Sequence, residues 1–122
     1  YLYNKDAARA LFLMGEKGVD GRVYCLGSGQ VKPLKDYIVQ IRDAAFEIER
    51  KYGKNAETSD QVKNQESLLD GIGKLPYAKN QVMYLCADIR QLTEDTGFEP
   101  EYDFAEGILK TAEWMKKGSL KE

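Results

Sequence analysis

Three stretches of the chain place apolar residues at the three- and four-residue spacing of an amphipathic helix. The first stretch follows Asp6, which is expected to be its N-cap, and a stop signal comes at Gly15 and Gly18. The last stretch follows Asp103 and continues almost to the C-terminus. The second follows Pro33, and its apolar stripe consists of Leu34, Tyr37, Ile38, Ile41, Ala45 and Ile48.

Two further signatures mark helix starts. Asp88 and Gln91 have the spacing of a capping box, and so do Asp103 and Glu106. In such a box the first side chain accepts a backbone N–H of the helix, while the second reaches back to the start. A short helix is therefore expected after Asp88, and Gly97 is expected to end it.

Two short apolar runs are rich in strand-forming residues and predict short buried strands. They are Val23 to Leu26, closed by a turn at Gly27 to Gly29, and Val82 to Cys86. Together with the helical stretches they predict a helix-rich α/β fold with a few short strands.

Two segments between these elements differ in character. Residues 51–69 are mostly polar and predict a surface excursion, with a helical turn around Val62 to Leu69. Pro76 to Gln81 instead holds polar and aromatic groups in an irregular stretch bounded by apolar structure. Ligand-contacting loops often have this composition, so the second segment is the better candidate for a binding site.

Composition narrows the classes of function. The 122 residues are 43% hydrophobic and 31% charged, as in a single globular domain. With 18 basic and 20 acidic residues the net charge is -2, which argues against a general nucleic-acid binder. No apolar run approaches the roughly 20 residues that span a membrane. The chain has no histidine, which excludes Ser-His-Asp and Cys-His catalysis and histidine metal ligands within it.

The two cysteines, Cys25 and Cys86, form no CxxC pair and stand among apolar neighbours. Both are predicted to be small buried thiols, and this usage predicts a reducing compartment and a cytoplasmic protein. The chain opens without methionine at Tyr1, so it is interpreted as a piece of something longer.

Two short motif matches are set aside. Tyr1 and Lys5 have the spacing of the Tyr-x-x-x-Lys dyad of short-chain dehydrogenases, but the helix that the dyad requires is expected to start only at Asp6. Gly27 to Gly29 follows a predicted strand as a phosphate loop would, but position 32 is lysine instead of the third glycine.

The order of four segments nevertheless resembles one family. Tyr1–Ala8 resembles "Tyr/Phe-aliphatic-Tyr/His-Val-x-Asp-x-Ala", and Val23–Gly29 resembles "Val-Tyr-Asn-Ile-Gly-Ser-Gly". Ala87–Pro100 resembles "Ala-Asp-x-x-Lys-x-x-x-x-Leu-Gly-Trp-x-Pro", and Phe104–Trp114 resembles "Phe-x-x-Gly-Ile-x-x-Thr-x-x-Trp". These are segments of extended short-chain dehydrogenases, the NAD-dependent nucleotide-sugar epimerases and dehydratases. The resemblance covers nearly all of the chain except residues 51–69.

The resemblance implies a C-terminal fragment of a Rossmann-type enzyme: mainly its substrate-binding domain, with the last edge elements of the nucleotide-binding sheet. The parent would bind NAD(P) and a nucleoside-diphosphate sugar. Its glycine-rich loop and Tyr-x-x-x-Lys pair lie upstream in the family, so neither a cofactor site nor a catalytic residue is expected here, and the isolated chain is expected to be inactive. The missing N-terminal nucleotide-binding domain would be a partner. Without it, the strand near Val23 would expose unpaired backbone and favour a homo-oligomer.

The family's "Arg-x-Gly-Asp" loop, which grips the substrate's pyrophosphate, aligns with Ala78 to Gln81. The resemblance therefore implies that Tyr77, Lys79, Asn80 and Gln81 contact the substrate. Alanine replaces the arginine and glutamine replaces the aspartate, so Lys79 would supply a point charge instead of a planar fork.

Two alternatives remain open. A non-catalytic binding or interaction module could retain this fold, and the missing arginine and the polar insertion at Asn55 to Asn64 favour it. A complete parent with the glycine loop and the Tyr/Lys pair would argue against that alternative. The other alternative is a helix-rich regulatory domain whose motif matches are coincidental.

Overall fold

The computed structural model describes residues 1–52 and 69–119, and the elements found there are helices. The polar stretch and the helical turn predicted within residues 51–69 lie almost entirely outside the described residues. Four helices follow one another along the chain: α1 (Asn4–Lys17), α2 (Leu34–Tyr52), α3 (Arg90–Thr96) and α4 (Phe104–Ser119).

The predicted α/β fold is wrong for the part of the chain that is described, because it contains helices and no strand. Val23 to Leu26 and Val82 to Cys86, predicted as strands, are irregular segments. Within the described ranges their backbone groups make no backbone–backbone hydrogen bond. The residues of both segments have a high propensity for β-strands. A strand forms, however, only where its backbone hydrogen-bonds to a second strand.

The chain divides into two compact units. The first unit comprises Tyr1–Val31 and Met83–Gly107, and it contains α1 and α3. The second comprises Lys32–Val82 and Ile108–Glu122, and it contains α2 and most of α4.

The core of the first unit forms where α1 packs against α3. Ala10 of α1, Leu92 of α3 and Phe98 are buried, and burial of a side chain such as Leu92 or Phe98 contributes about 2 kcal/mol. The Arg9 guanidinium lies 5.1 Å from the Phe98 ring centroid and covers one side of this core. Four partly buried side chains pack around it: Leu13, Met14, Tyr24 and Leu26.

Asp6 is not the N-cap of α1, contrary to the prediction. The helix begins at Asn4 after Tyr3, so Asp6 lies in its first turn with 0% of its surface exposed. Its carboxylate accepts the backbone N–H groups of Glu101 and Tyr102, each at 3.1 Å, and the Arg9 Nη2 at 3.3 Å. A buried carboxylate is tolerated here because its oxygens are hydrogen-bonded and a cation lies beside it.

The capping box at the start of α4 is confirmed. The Glu106 N–H donates to Asp103 Oδ1 at 2.8 Å, and the Asp103 N–H donates to Glu106 Oε2 at 3.3 Å. The predicted stop at Gly97 is also confirmed, since this residue follows α3 in the left-handed conformation at φ 72°.

The box predicted at Asp88 and Gln91 does not form. Helix α3 begins at Arg90, whose N–H donates to Asp88 Oδ1 at 3.1 Å. The Gln91 side chain turns along the helix and donates to Asp95 Oδ1 at 3.1 Å. The predicted helix start was too early. Asp88 lies before the helix, and its carboxylate accepts the N–H of the first helical residue, Arg90.

In the second unit, α2 buries Tyr37, Ala44 and Ile48, whereas Leu34 and Ile41 of the predicted stripe are exposed. Polar contacts join α2 to α4. Lys116 Nζ pairs with Glu49 Oε1 at 3.1 Å, Lys51 Nζ pairs with Glu113, and the Tyr52 hydroxyl donates to Glu113 Oε1 at 3.2 Å.

The prediction that both cysteines are buried is wrong for Cys25, which is exposed, while Cys86 is partly buried. Cys25 lies in the run that was expected to be a buried strand, and with no paired strand there it is left uncovered. Among the described residues, no helix is both long and apolar enough to cross a membrane. The cytoplasmic location stays a prediction.

Candidate functional site

The candidate site is the segment 76–81, named here the substrate loop. The Gln81 N–H donates to the Ala78 carbonyl at 3.0 Å, and the Ala78 N–H donates to Gln81 Oε1 at 3.2 Å. These two bonds close a turn with Lys79 and Asn80 at its tip. The turn orders the tip without using the side chain of either tip residue.

The side chains of the substrate loop are exposed, and 70% of the Tyr77 surface is accessible. Lys79 presents an ammonium, Asn80 an amide and Tyr77 a phenol, and these groups can hold phosphate oxygens and cover a flat ring. Residues 71–82 contain two lysines, Lys74 and Lys79, and no carboxylate. The local charge therefore favours an anion.

Of the predicted site residues, Gln81 has a partner within the loop, and that partner is Ala78, which was not itself predicted to contact the substrate. Gln81 contacts Ala78 through the turn, so its side-chain oxygen supports the loop instead of facing a ligand. A short polar side chain that accepts a nearby backbone N–H commonly stabilises such a turn. Substrate contacts by Tyr77, Lys79, Asn80 and Gln81 stay a prediction.

A polar cluster in the first unit was missed by sequence reasoning. The Tyr24 hydroxyl donates to Asp95 Oδ2 at 2.7 Å and accepts the Val19 N–H at 2.9 Å. Arg22 Nη1 also donates to Asp95 Oδ2, at 2.6 Å. The hydrogen bond from Tyr24, followed by that from Arg22, holds the pKa of Asp95 below its ordinary value. The two contacts to Asp95 join residues more than 70 positions apart, so no local pattern predicts them.

A second pair, Asp88 and Arg90, lies at the start of α3. Arg90 Nη2 donates to Asp88 Oδ2 at 2.6 Å, and Arg90 Nε donates to Asp88 Oδ1 at 3.0 Å. This two-pronged contact lowers the pKa of Asp88 to about 2. Because its fork is already occupied by a carboxylate, Arg90 is a poorer candidate for phosphate binding than Lys79.

The residues around Gly27 do not fit a dinucleotide site. Such a site needs a helix that begins directly after the glycines, so that its N-terminus faces the pyrophosphate. Here α2 begins only at Leu34, and a methyl group on Gly27 would lie 2.8 Å from the Ala87 Cβ. The absence of a side chain at Gly27 therefore allows residues 27 and 87 to pack closely together.

Comparison with known proteins finds nucleotide-sugar dehydratases. The chain is 28% identical over 114 residues to a dTDP-glucose 4,6-dehydratase of Escherichia coli, covering 93% of this chain and 29% of that protein. A dTDP-glucose 4,6-dehydratase of Shigella flexneri is 26% identical over 114 residues, with 93% and 28% covered. A dTDP-glucose 4,6-dehydratase 1 of Escherichia coli strain K12 is also 26% identical over the same coverage. No family model and no solved structure matches the chain.

These relatives confirm the resemblance to nucleotide-sugar epimerases and dehydratases of the extended short-chain dehydrogenase type. The match runs across 114 of the 122 residues. The chain spans less than a third of the length of the curated relatives it matches, at 28% to 29%.

Proposed function

We propose that this chain is the C-terminal, sugar-nucleotide-binding portion of an NAD-dependent nucleotide-sugar dehydratase, with a nucleoside-diphosphate hexose as substrate. The observation that carries the proposal is the similarity to dTDP-glucose 4,6-dehydratases over 93% of the chain. The exposed, lysine-bearing substrate loop at the segment that aligns with the family's pyrophosphate loop supports it.

In this function the substrate loop holds the diphosphate. Lys79 supplies one positive charge from the tip, Asn80 donates hydrogen bonds, and Tyr77 covers the base or the sugar. NAD(P), bound by polypeptide outside these residues, supplies the hydride chemistry of the whole enzyme. The N-terminal nucleotide-binding domain is the partner on which turnover depends, so this chain alone binds substrate without converting it.

Calorimetric titration of the purified chain with dTDP-glucose tests the binding role. We expect Lys79→Gln to weaken binding by about 1 kcal/mol, because an ion pair between an exposed lysine and a phosphate contributes little more than this to the binding free energy. Lys74→Gln is the matched control, since it removes the same exposed charge outside residues 76–81 and should leave the affinity near that of the unchanged chain. Absence of binding, or an equal loss in both variants, would refute the role of this loop.

A non-catalytic binding module is the second candidate, and one observation favours it. Ala78 stands where the family has its pyrophosphate-gripping arginine, and Gln81, at the aspartate position, is bound within the turn. The discriminating experiment incubates the full-length protein with dTDP-glucose and NAD and follows loss of one water by mass spectrometry. Dehydration supports the enzyme, whereas binding without dehydration supports the module.

A further inference from the structure

Two hydrogen bonds between the same two residues, Ala78 and Gln81, close the turn at the tip of the substrate loop. The first is an ordinary turn bond, in which the Gln81 N–H donates to the Ala78 carbonyl at 3.0 Å. The second uses a side chain, because the Ala78 N–H donates to Gln81 Oε1 at 3.2 Å. Both polar backbone groups of Ala78 are therefore bound by Gln81.

The second bond has a known counterpart at helix starts. In a capping box, a glutamate or glutamine three residues along the chain reaches back to accept a backbone N–H. Gln81 stands in that relation to Ala78, although the two residues close a turn here and start no helix. The oxygen of the Gln81 amide is thus committed to the backbone of the loop.

The order of the tip depends on these two bonds. Residues 76–81 are exposed, so apolar packing does not hold them. Among the described residues, neither the Lys79 ammonium nor the Asn80 amide has a hydrogen-bond partner. The direction in which these two side chains leave the loop is therefore set by the turn between Ala78 and Gln81.

From these observations we infer that Gln81 is a positioning residue of the substrate loop. It does not contact the substrate, but it holds the turn from which Lys79 and Asn80 reach the phosphate oxygens. The inference rests on the proposed function, since the ligand is the same nucleoside-diphosphate sugar. It replaces the sequence-based prediction that Gln81 itself contacts the substrate.

An ordered turn raises affinity because less conformational entropy is lost when the ligand binds. This contribution matters more here than in a loop with an arginine. Ala78 stands where the family has that arginine, so no planar fork fixes two phosphate oxygens at once. Binding then depends on how well the turn holds the two separate side chains at its tip.

Calorimetric titration of the Gln81→Met variant with dTDP-glucose tests the inference. Methionine has nearly the length of glutamine but lacks its carbonyl oxygen, so the side-chain bond to Ala78 is lost. We expect the affinity to fall about threefold. Gln30→Met is the matched control, because Gln30 is an exposed glutamine outside the loop. Neither variant should change the free energy of unfolding, which urea denaturation checks.

A double variant separates positioning from direct contact. If Gln81 acts through Lys79, most of its effect disappears once Lys79 is replaced. We therefore expect Gln81→Met to weaken binding by clearly less than threefold in the Lys79→Gln background. A residue that contacts the substrate independently would give the full threefold loss in both backgrounds.

Hydrogen exchange of the Ala78 amide, followed by NMR without ligand, supplies a further readout. This amide should exchange faster in Gln81→Met than in the unchanged chain, whereas Gln81→Glu retains an acceptor oxygen and should keep the slower rate. Equal exchange rates in the two variants would overturn the inference.

The outcomes also distinguish this inference from the proposed function. If the unchanged chain does not bind dTDP-glucose, the proposed function fails and the inference fails with it. If the chain binds and Gln81→Met binds equally well, the inference alone is wrong. The same holds if the full threefold loss persists in the Lys79→Gln background, or if Gln30→Met loses as much affinity as Gln81→Met.

Discussion

The buried carboxylate of Asp6 accepts the backbone N–H of Tyr102 at 3.1 Å, across 96 positions of sequence. The same carboxylate accepts the neighbouring N–H of Glu101, so one side chain in α1 fixes the segment that leads into α4. This segment precedes the capping box that starts α4. Asp6 therefore acts as a tertiary anchor for the first unit.

We expect Asp6→Ala to lower the free energy of unfolding by about 3 kcal/mol, because two backbone N–H groups and Arg9 lose their acceptor at a buried position. Urea denaturation followed by circular dichroism measures the loss. Asp20→Ala removes an exposed carboxylate and should change the stability little. A loss no larger than that of the control would contradict the anchoring role.

Tyr24→Phe removes the hydroxyl that donates to Asp95. The pKa of Asp95 should rise toward its ordinary value, because this hydrogen bond is the largest cause of its depression. A depressed pKa contributes stability that is present above the ordinary value of 3.8 and is lost as the pH falls through the folded-state pKa. The variant should therefore show a shallower loss of stability in acid.

An NMR titration of the Asp95 carboxyl measures this pKa directly, and acid unfolding measures the stability. Tyr77→Phe is the control, since Tyr77 is exposed in the substrate loop and far along the chain from Asp95. An unchanged pKa of Asp95 in Tyr24→Phe would show that the hydroxyl is not its hydrogen-bond donor in solution.

Two glycines should respond to the same substitution with opposite signs. Gly15→Ala should raise the free energy of unfolding by about 1 kcal/mol, because Gly15 lies inside α1 and an added methyl meets nothing within 4 Å. Gly27→Ala should lower it by about 2 kcal/mol, because the methyl would lie 2.8 Å from the Ala87 Cβ. Thermal and urea unfolding of the pair measure both changes, and equal effects would mean that residues 27 and 87 are not in contact.

Ala78→Arg restores the planar donor that the family's pyrophosphate loop carries. Since an arginine fork contacts two phosphate oxygens at once, we expect affinity for dTDP-glucose to rise about tenfold. Ala8→Arg adds the same charge at an exposed position of α1 and should leave the affinity unchanged. Calorimetry compares the two variants, and an equal gain in both would indicate general charge attraction instead of a contact at the loop.

Helices with an amphipathic stripe or a local cap could be predicted closely. The box at Asp103 and the stop at Gly97 formed as expected, since both rest on contacts within one helical turn. At Asp6 the same kind of local reasoning failed. The Asp6 carboxylate accepts the N–H groups of Glu101 and Tyr102, which lie near it only in the folded structure. The local N-cap pattern does not indicate such a distant contact.

The candidate site was likewise predicted from the sequence only in part. The irregular composition of residues 76–81 singled out a loop, and the structure shows an exposed turn there. The internal use of Gln81 was not predictable, because the bond from Ala78 depends on how the turn closes. The pairing of Asp95 with Arg22 and Tyr24 left no signal in the sequence, since these two partners lie more than 70 positions away.

The sequence alone determined the helices and the family resemblance, because helical periodicity, capping pairs and ordered motifs are recorded in neighbouring residues. Tertiary structure decided whether the runs at Val23 and Val82 become strands. Strand propensity describes a residue's fit to a pleated surface, but hydrogen bonds to another backbone are needed to make that surface. In the described chain those bonds do not form. Val23 and residues 82–85 remain exposed, whereas Tyr24 and Leu26 pack against the core of the first unit instead.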